Sequence, residues 1–436
     1  MRLFRRTSHD REILILAVPA FVALIAEPLY VLTDTAIVGH ISTEALAGLA
    51  VAAAILLTVY SMLIFLAYGT TGIVGRLLGS GQQQDAAAQG VQAVWLSIFL
   101  GAVVTVALAL FSETLVDLFE PSSLVRKEAL TYLRISLVGL IGQLIVMSGT
   151  GYLRGLQNTR IPLVVALAGA VINLGLELVL VFVFDLGIVG SAWSTVVAQW
   201  LCAFAYLRVI SKASLRLRAS IWPNFPRLVR YASVGFHLFV RTSALRASFL
   251  LAAALAARKG TTELAAHQIG IEVWSLLALG LDSVAIAGQA LIAKFLGAGE
   301  VTTAKAVSRR MIGLSIQVGC LGGAALLIAR SSIAQLFTND AAVAELTAFL
   351  FVFAALSQPL NALVFGLDGI LIGAGDLRFL AWAMIGSFAA YAGLALSTAN
   401  LGMGWLWTCL TALMVFRGVA VWARFKHEGW IRVGAN

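Results

Sequence analysis

The chain has 436 residues, 60% of them hydrophobic and only 12% charged, with a formal net charge of +9. Apolar runs of about twenty residues recur from end to end, which excludes an ordinary soluble domain or a disordered chain and marks a polytopic helical membrane protein. The positive balance does not point to nucleic acid, because the basic residues sit in short loops between apolar runs rather than along one solvated face.

The first stretch, MRLFRRTSHDR, is basic and leads into an apolar segment too long for a signal-peptide core, with no small-residue cleavage pattern beyond it. The first helix is therefore expected in the mature protein. Breaking the chain at polar, Gly- and Pro-containing stretches predicts twelve spans, near 13–38, 45–74, 87–111, 130–152, 161–184, 188–209, 228–257, 264–293, 307–329, 343–372, 378–398 and 401–423. The first span contains Pro19, Glu27, Pro28 and Asp34. A proline inside a span frees a backbone carbonyl and permits a bend. An acid inside lipid costs about 2.5–3.5 kcal/mol, so Asp34 reads as functional. In the fifth span, AVINLGLELVL sets Asn173 and Glu177 four residues apart on one helix face. Thr195 in the sixth, within GIVGSAWSTVVAQW, lies about as far from the outer end as Glu177 does.

The loop 210–227 is basic, holds two prolines and falls at mid-chain, as a linker would. Beyond it the seventh span carries Arg241 and Arg246, the eighth Glu272 and Asp282, and the tenth Asn361 and Asp368. Structural pairing is the favoured reading for the charged residues among these, because buried ions find partners. Cys202, Cys320 and Cys409 each sit in an apolar run with no metal-type spacing.

If the first loop is cytoplasmic, 21 of the 30 Lys and Arg fall on the inner side, five on the outer side and four within spans. The positive-inside bias then places both termini in the cytoplasm. Sliding the chain on itself reveals a repeat at an offset of 218 residues: GRLLGSG (75–81) over AKFLGAG (293–299), LVDLF (115–119) over IAQLF (333–337), and GYLRGLQNTR (151–160) over GILIGAGDLR (369–378). The expectation is an all-α polytopic membrane protein of twelve transmembrane helices in two six-helix lobes, 1–209 and 228–436, joined by the 210–227 linker and related by a parallel repeat. The offset carries Asp34 onto Ala252, Asn173 onto Tyr391 and Glu177 onto Ala395. The polar cluster therefore belongs to the first half and is not demanded by the shared scaffold. Two carboxyls, an amide and a hydroxyl are expected to converge on a pocket open to the outside, where they suit proton exchange. The same oxygens also suit sodium.

Taken together, "P…D.A.VGH" in the first span, GRLLGSG, GYLRGLQNTRIP and LIGAGD resemble the multidrug and toxic compound extrusion (MATE) family over almost the whole chain. Glu27-Pro28 ahead of Asp34, GFHLFVRTSAL and LDGILIGAGD are most similar to its DinF branch. The resemblance implies two lobes rocking between outward- and inward-open states and exporting organic cations or other amphipathic compounds against a proton or sodium gradient. It also implies an N-lobe site matched here by Asp34, Asn173, Glu177 and Thr195, with Glu177 standing where some members have aspartate. The family proline proposed to bend matches Pro19. Another branch uses C-lobe acids, but here the seventh span has none and the matching position in the tenth is Asn361.

The expected function is thus a secondary active efflux antiporter of the cell membrane, proton-coupled in preference to sodium-coupled, with no cofactor, no nucleic-acid partner and one chain sufficing. The alternative is a flippase for lipid-linked or amphipathic substrates, for which Arg241 and Arg246 supply few basic residues. An intramembrane enzyme is not expected, since HExxH, GxSxG and clustered His or Cys do not occur.

Overall fold

The computed structural model describes residues 9–434; residues 1–8, with the basic Arg2, Arg5 and Arg6, and residues 435–436 lie outside the described residues. Twelve helices among the described residues are long and apolar enough to cross a membrane. They are α1 (His9–Gly39), α2 (Thr43–Gly79), α3 (Gln83–Asp117), α4 (Ser123–Gly155), α5 (Arg160–Val183), α6 (Gly187–Arg216), α7 (Phe225–Ala257), α8 (Thr261–Gly297), α9 (Val301–Phe337), α10 (Ala341–Gly373), α11 (Leu377–Ser397) and α12 (Met403–Lys426). Large apolar side chains such as Leu110, Val183, Ile328 and Leu336 are left on the surface, as a lipid-facing exterior requires.

Helix ends follow from local chemistry. Ser42 caps α2 by accepting from the Ala45 amide at 3.0 Å, and Asp340 caps α10 by accepting from Ala342 and Val343. Neither Pro19 nor Pro28 ends α1, which stays helical through both. The predicted 210–227 loop is shorter than expected: α6 continues to Arg216 and α7 starts at Phe225, leaving 217–224 between them. The sequence SKASLR carries good helix formers and ends in a cation at the helix C-terminus, both of which favour extending α6. The remaining segment is strapped to α3: Gln84, Trp95 and Gln92 donate to the carbonyls of Arg218, Ile221 and Trp222 at 2.9–3.0 Å.

By internal contacts the chain divides into two compact units, an N-terminal unit (Val22–Phe236) and a C-terminal unit made of the segment up to Phe21 together with His237 onwards. The division runs through α1 and α7. The start of α7 packs into the N-terminal unit, with Tyr231 hydrogen-bonded to Thr70 and donating to the Leu66 carbonyl. The start of α1 belongs to the C-terminal unit, where Arg310 forks onto Asp10 at 2.6 and 2.7 Å.

The 218-residue repeat reappears in the backbone of each unit. Gly81 and Gly299 both have φ +77°, where only glycine is unstrained. Gln157 and Gly375 form the second matched pair, at φ +62° and +74°. A Cβ on Gly151 would run into the Ala67 carbonyl of α2; one on Gly369 would meet the Ala285 carbonyl of α8, again 218 residues on. The same close helix approach is thus built twice.

Candidate proton and cation site

Three helices of the N-terminal unit bring polar groups together in pairs spaced by four residues, hence on one face each: Tyr30 and Asp34 on α1, Asn173 and Glu177 on α5, Ser191 and Thr195 on α6. α4 adds Tyr132. The Ser191 hydroxyl donates to Asp34 Oδ1 at 3.2 Å and the Tyr132 hydroxyl to Oδ2 at 3.4 Å. The Asn173 amide donates to Tyr30, Ser194 and Thr195 at 3.2–3.3 Å, and Tyr30 and Thr195 share a hydrogen bond of 2.9 Å. The Tyr132 hydroxyl also lies within hydrogen-bond reach of Thr195, so the set on Asp34 adjoins the set on Asn173 and Thr195.

Glu177 is fully buried, and among the described residues its carboxyl touches Asp34 and Ser191 and no further donor. Its carboxyl adjoins that of Asp34. Two facing carboxylates repel, and a single proton held between them gives each a hydrogen-bonded partner. Asp34, Asn173 and Thr195 are also buried. Tyr132 and Ser191 pack against the acid of Asp34 and help to shield it. α5 finishes in a π-helical turn, Val179–Val183, two residues beyond Glu177, a distortion often found beside functional groups.

At the repeat-related positions the C-terminal unit is apolar. Asp34, Tyr132, Asn173, Glu177, Ser191 and Thr195 correspond to Ala252, Leu350, Tyr391, Ala395, Cys409 and Leu413, all members of that unit's hydrophobic core.

The remaining predicted residues stand apart. Glu27 lies within electrostatic reach of Arg154 and Tyr60. Arg241 and Arg417 both donate to Asp368 Oδ2, at 2.6 and 2.5 Å, in a buried ionic cluster. Arg246 forms no ion pair among the described residues. Asn361 is buried and donates to Ser357 at 3.2 Å. Sequence reasoning did not single out Tyr30, Tyr132, Ser191 or Ser194. The four-residue spacing from Asp34 and from Thr195 is a signal for Tyr30 and Ser191; Tyr132 has no local signal.

The chain matches the MatE family over residues 19–179 and 239–417. It belongs to that family. This MATE chain is 33% identical over 422 residues to Protein DETOXIFICATION 44, chloroplastic, of Arabidopsis thaliana, covering 94% of this chain and 81% of the relative. It is 26% identical to DNA damage-inducible protein F of Escherichia coli, covering 97% and 94% of the two chains. The crystal structure of an Asp-to-Asn mutant of the Vibrio cholerae MATE transporter VcmN is similar in fold, with a TM-score of 0.87 at 18% identity over 97% of this chain and 98% of that one. The MATE fold, the membrane-spanning architecture and membership of a transporter family follow.

Proposed function

We propose that this MATE transporter is a secondary active exporter of small amphipathic or cationic compounds, exchanging them for protons carried by Asp34 and Glu177. The observation that carries the reading is the adjoining, buried carboxyl pair at positions where the repeat supplies Ala252 and Ala395. A scaffold that folds with alanines at these sites has no structural need for two acids, so their cost is offset by a task. Protonation and substrate must differ in affinity for two conformations, since a ligand that binds both equally shifts nothing. Alternating access supplies those conformations, and the bend expected at Pro19 is one way for α1 to take part.

The proton is preferred to sodium on the direction of Asn173. Its NH2 group is turned toward Tyr30, Ser194 and Thr195, which engages hydroxyl oxygens that a sodium ion would need as ligands. A lipid-sugar flippase is the less favoured reading, because of its two candidate cations Arg241 is committed to Asp368, which leaves Arg246 alone, and the N-lobe cluster is acidic. The proposal includes the cell membrane as location, cytoplasmic termini, a working unit of one chain, and no cofactor or nucleic acid.

The test is accumulation of a lipophilic cation dye in proteoliposomes under either an imposed pH gradient or an imposed sodium gradient. Dye moving uphill only with the pH gradient supports the proposal. Response to sodium alone reassigns the ion, and no gradient-driven accumulation of any amphipathic dye removes antiport.

A further inference from the structure

Where the first turns of α9 meet the last turn of α12, the C-terminal unit forms a cavity of about 270 Å³. Lys305, Arg309 and Lys426 line it with a single acid, Glu428. Lys305 takes that acid at 2.6 Å. Lys426 sits 5.3 Å over the ring of Trp422, and Arg309 is exposed with no ion-pair or hydrogen-bond partner among the described residues. Three cations against one carboxylate leave two positive charges facing the cavity. Its floor is rigid: Trp430 is buried, stacks on Phe425 with centroids 5.5 Å apart, and donates to the Phe425 carbonyl at 3.1 Å. The segment is fixed in turn by Arg424 on Asp376 at 2.6 Å and by the Gly434 amide on the Leu296 carbonyl at 3.1 Å.

From this cavity an apolar stripe leads along α12 toward the middle of the span. Val415, Val419 and Trp422, spaced by four and three residues on one helix face, are 41%, 64% and 38% exposed. A cationic pocket with an indole wall at a helix end, continued by an exposed apolar track, has the layout of a headgroup site with a path for its acyl chain. We propose that this cavity binds the phosphate headgroup of an anionic phospholipid, between Arg309 and Lys426, with one acyl chain along Val415, Val419 and Trp422. The positive-inside assignment makes it an inner-leaflet lipid. The binding chemistry itself holds whichever leaflet is involved and does not rest on the coupling ion.

The test is native mass spectrometry of delipidated protein in detergent, titrated with phosphatidylglycerol or with phosphatidylcholine. Wild type retains phosphatidylglycerol in preference. Each lost charge lowers that retention about fivefold, so Arg309→Gln with Lys426→Gln lowers it roughly 30-fold. Arg330→Gln, which removes a cation near the other end of α9, leaves it unchanged. Should the double variant fail to fold, Arg309→Gln alone carries the test at about fivefold, its side chain being exposed and unpartnered. Equal retention of the two lipids by wild type, or undiminished phosphatidylglycerol on the variants, overturns the proposal. Displacement of the lipid by free glycerol phosphate also overturns it, by reassigning the cavity to soluble phosphate esters.

Discussion

Asp34→Asn isolates the proton from the fold. The carboxylate of Asp34 accepts from Ser191 at 3.2 Å and from Tyr132 at 3.4 Å. An amide keeps one acceptor oxygen and loses the other, which costs about 1 kcal/mol for one hydrogen bond. Its NH2 then donates to Glu177, taking the place of the proton shared by the two acids, and removing a buried charge offsets the loss. Stability should therefore change by no more than about 1 kcal/mol. Asp34→Ala, by contrast, strips both hydroxyls of their acceptor at about 1–3 kcal/mol each, which confuses folding with coupling. One proton exchanged across a pH difference of one unit supplies about 1.4 kcal/mol, or roughly tenfold accumulation of substrate. In proteoliposomes wild type should approach that ratio, whereas Asp34→Asn, with an unchanged melting temperature in detergent, should fall to a ratio near one while still passing dye downhill. Full accumulation by the variant would make Asp34 a structural acid and refute the reasoning.

Tyr30→Phe removes the hydroxyl that joins Thr195 to Asn173; transport should stay proton-driven with the apparent dye affinity lowered about fivefold, about 1 kcal/mol for one hydrogen bond, as read from initial rates against dye concentration. Asp368→Asn leaves Arg241 and Arg417 facing one another without their shared carboxylate, at a cost of about 3–5 kcal/mol, visible as a large drop in melting temperature or in yield of folded protein. Gly151→Ala and Gly369→Ala each push a methyl into backbone on the facing helix. Each should cost about 1–3 kcal/mol in thermal melts, and similar losses at the two sites would express the repeat energetically.

The twelve spans were legible because length and apolar character are set by the bilayer itself, and the structure extends most of them by a few residues into loops. The repeat was legible in short strings, yet one of its strongest expressions was hidden: Gln157 holds the left-handed backbone that Gly375 holds in the second half, and no residue-type comparison equates them. In the site, Asp34, Asn173, Glu177 and Thr195 were readable as polar groups in apolar runs. Tyr30, Ser191 and Ser194 were not singled out, since hydroxyls are common in membrane helices and cost little there. The pairing of Asp368 with Arg417 is likewise not local; 49 residues separate them, and only the packing of α10 against α12 brings them together.

The contrast between the acidic cluster and its apolar counterpart has a bearing on how such a molecule can change over generations. A chain that carries its scaffold twice holds every position of that scaffold in two settings, so chemistry confined to one half leaves the architecture of the other intact. Ala252, Tyr391 and Ala395, which stand in the second half where Asp34, Asn173 and Glu177 stand in the first, form a ready address for new polar groups within the hydrophobic core. On the proposed reading, one half carries the ion chemistry while the same positions of the other stay apolar.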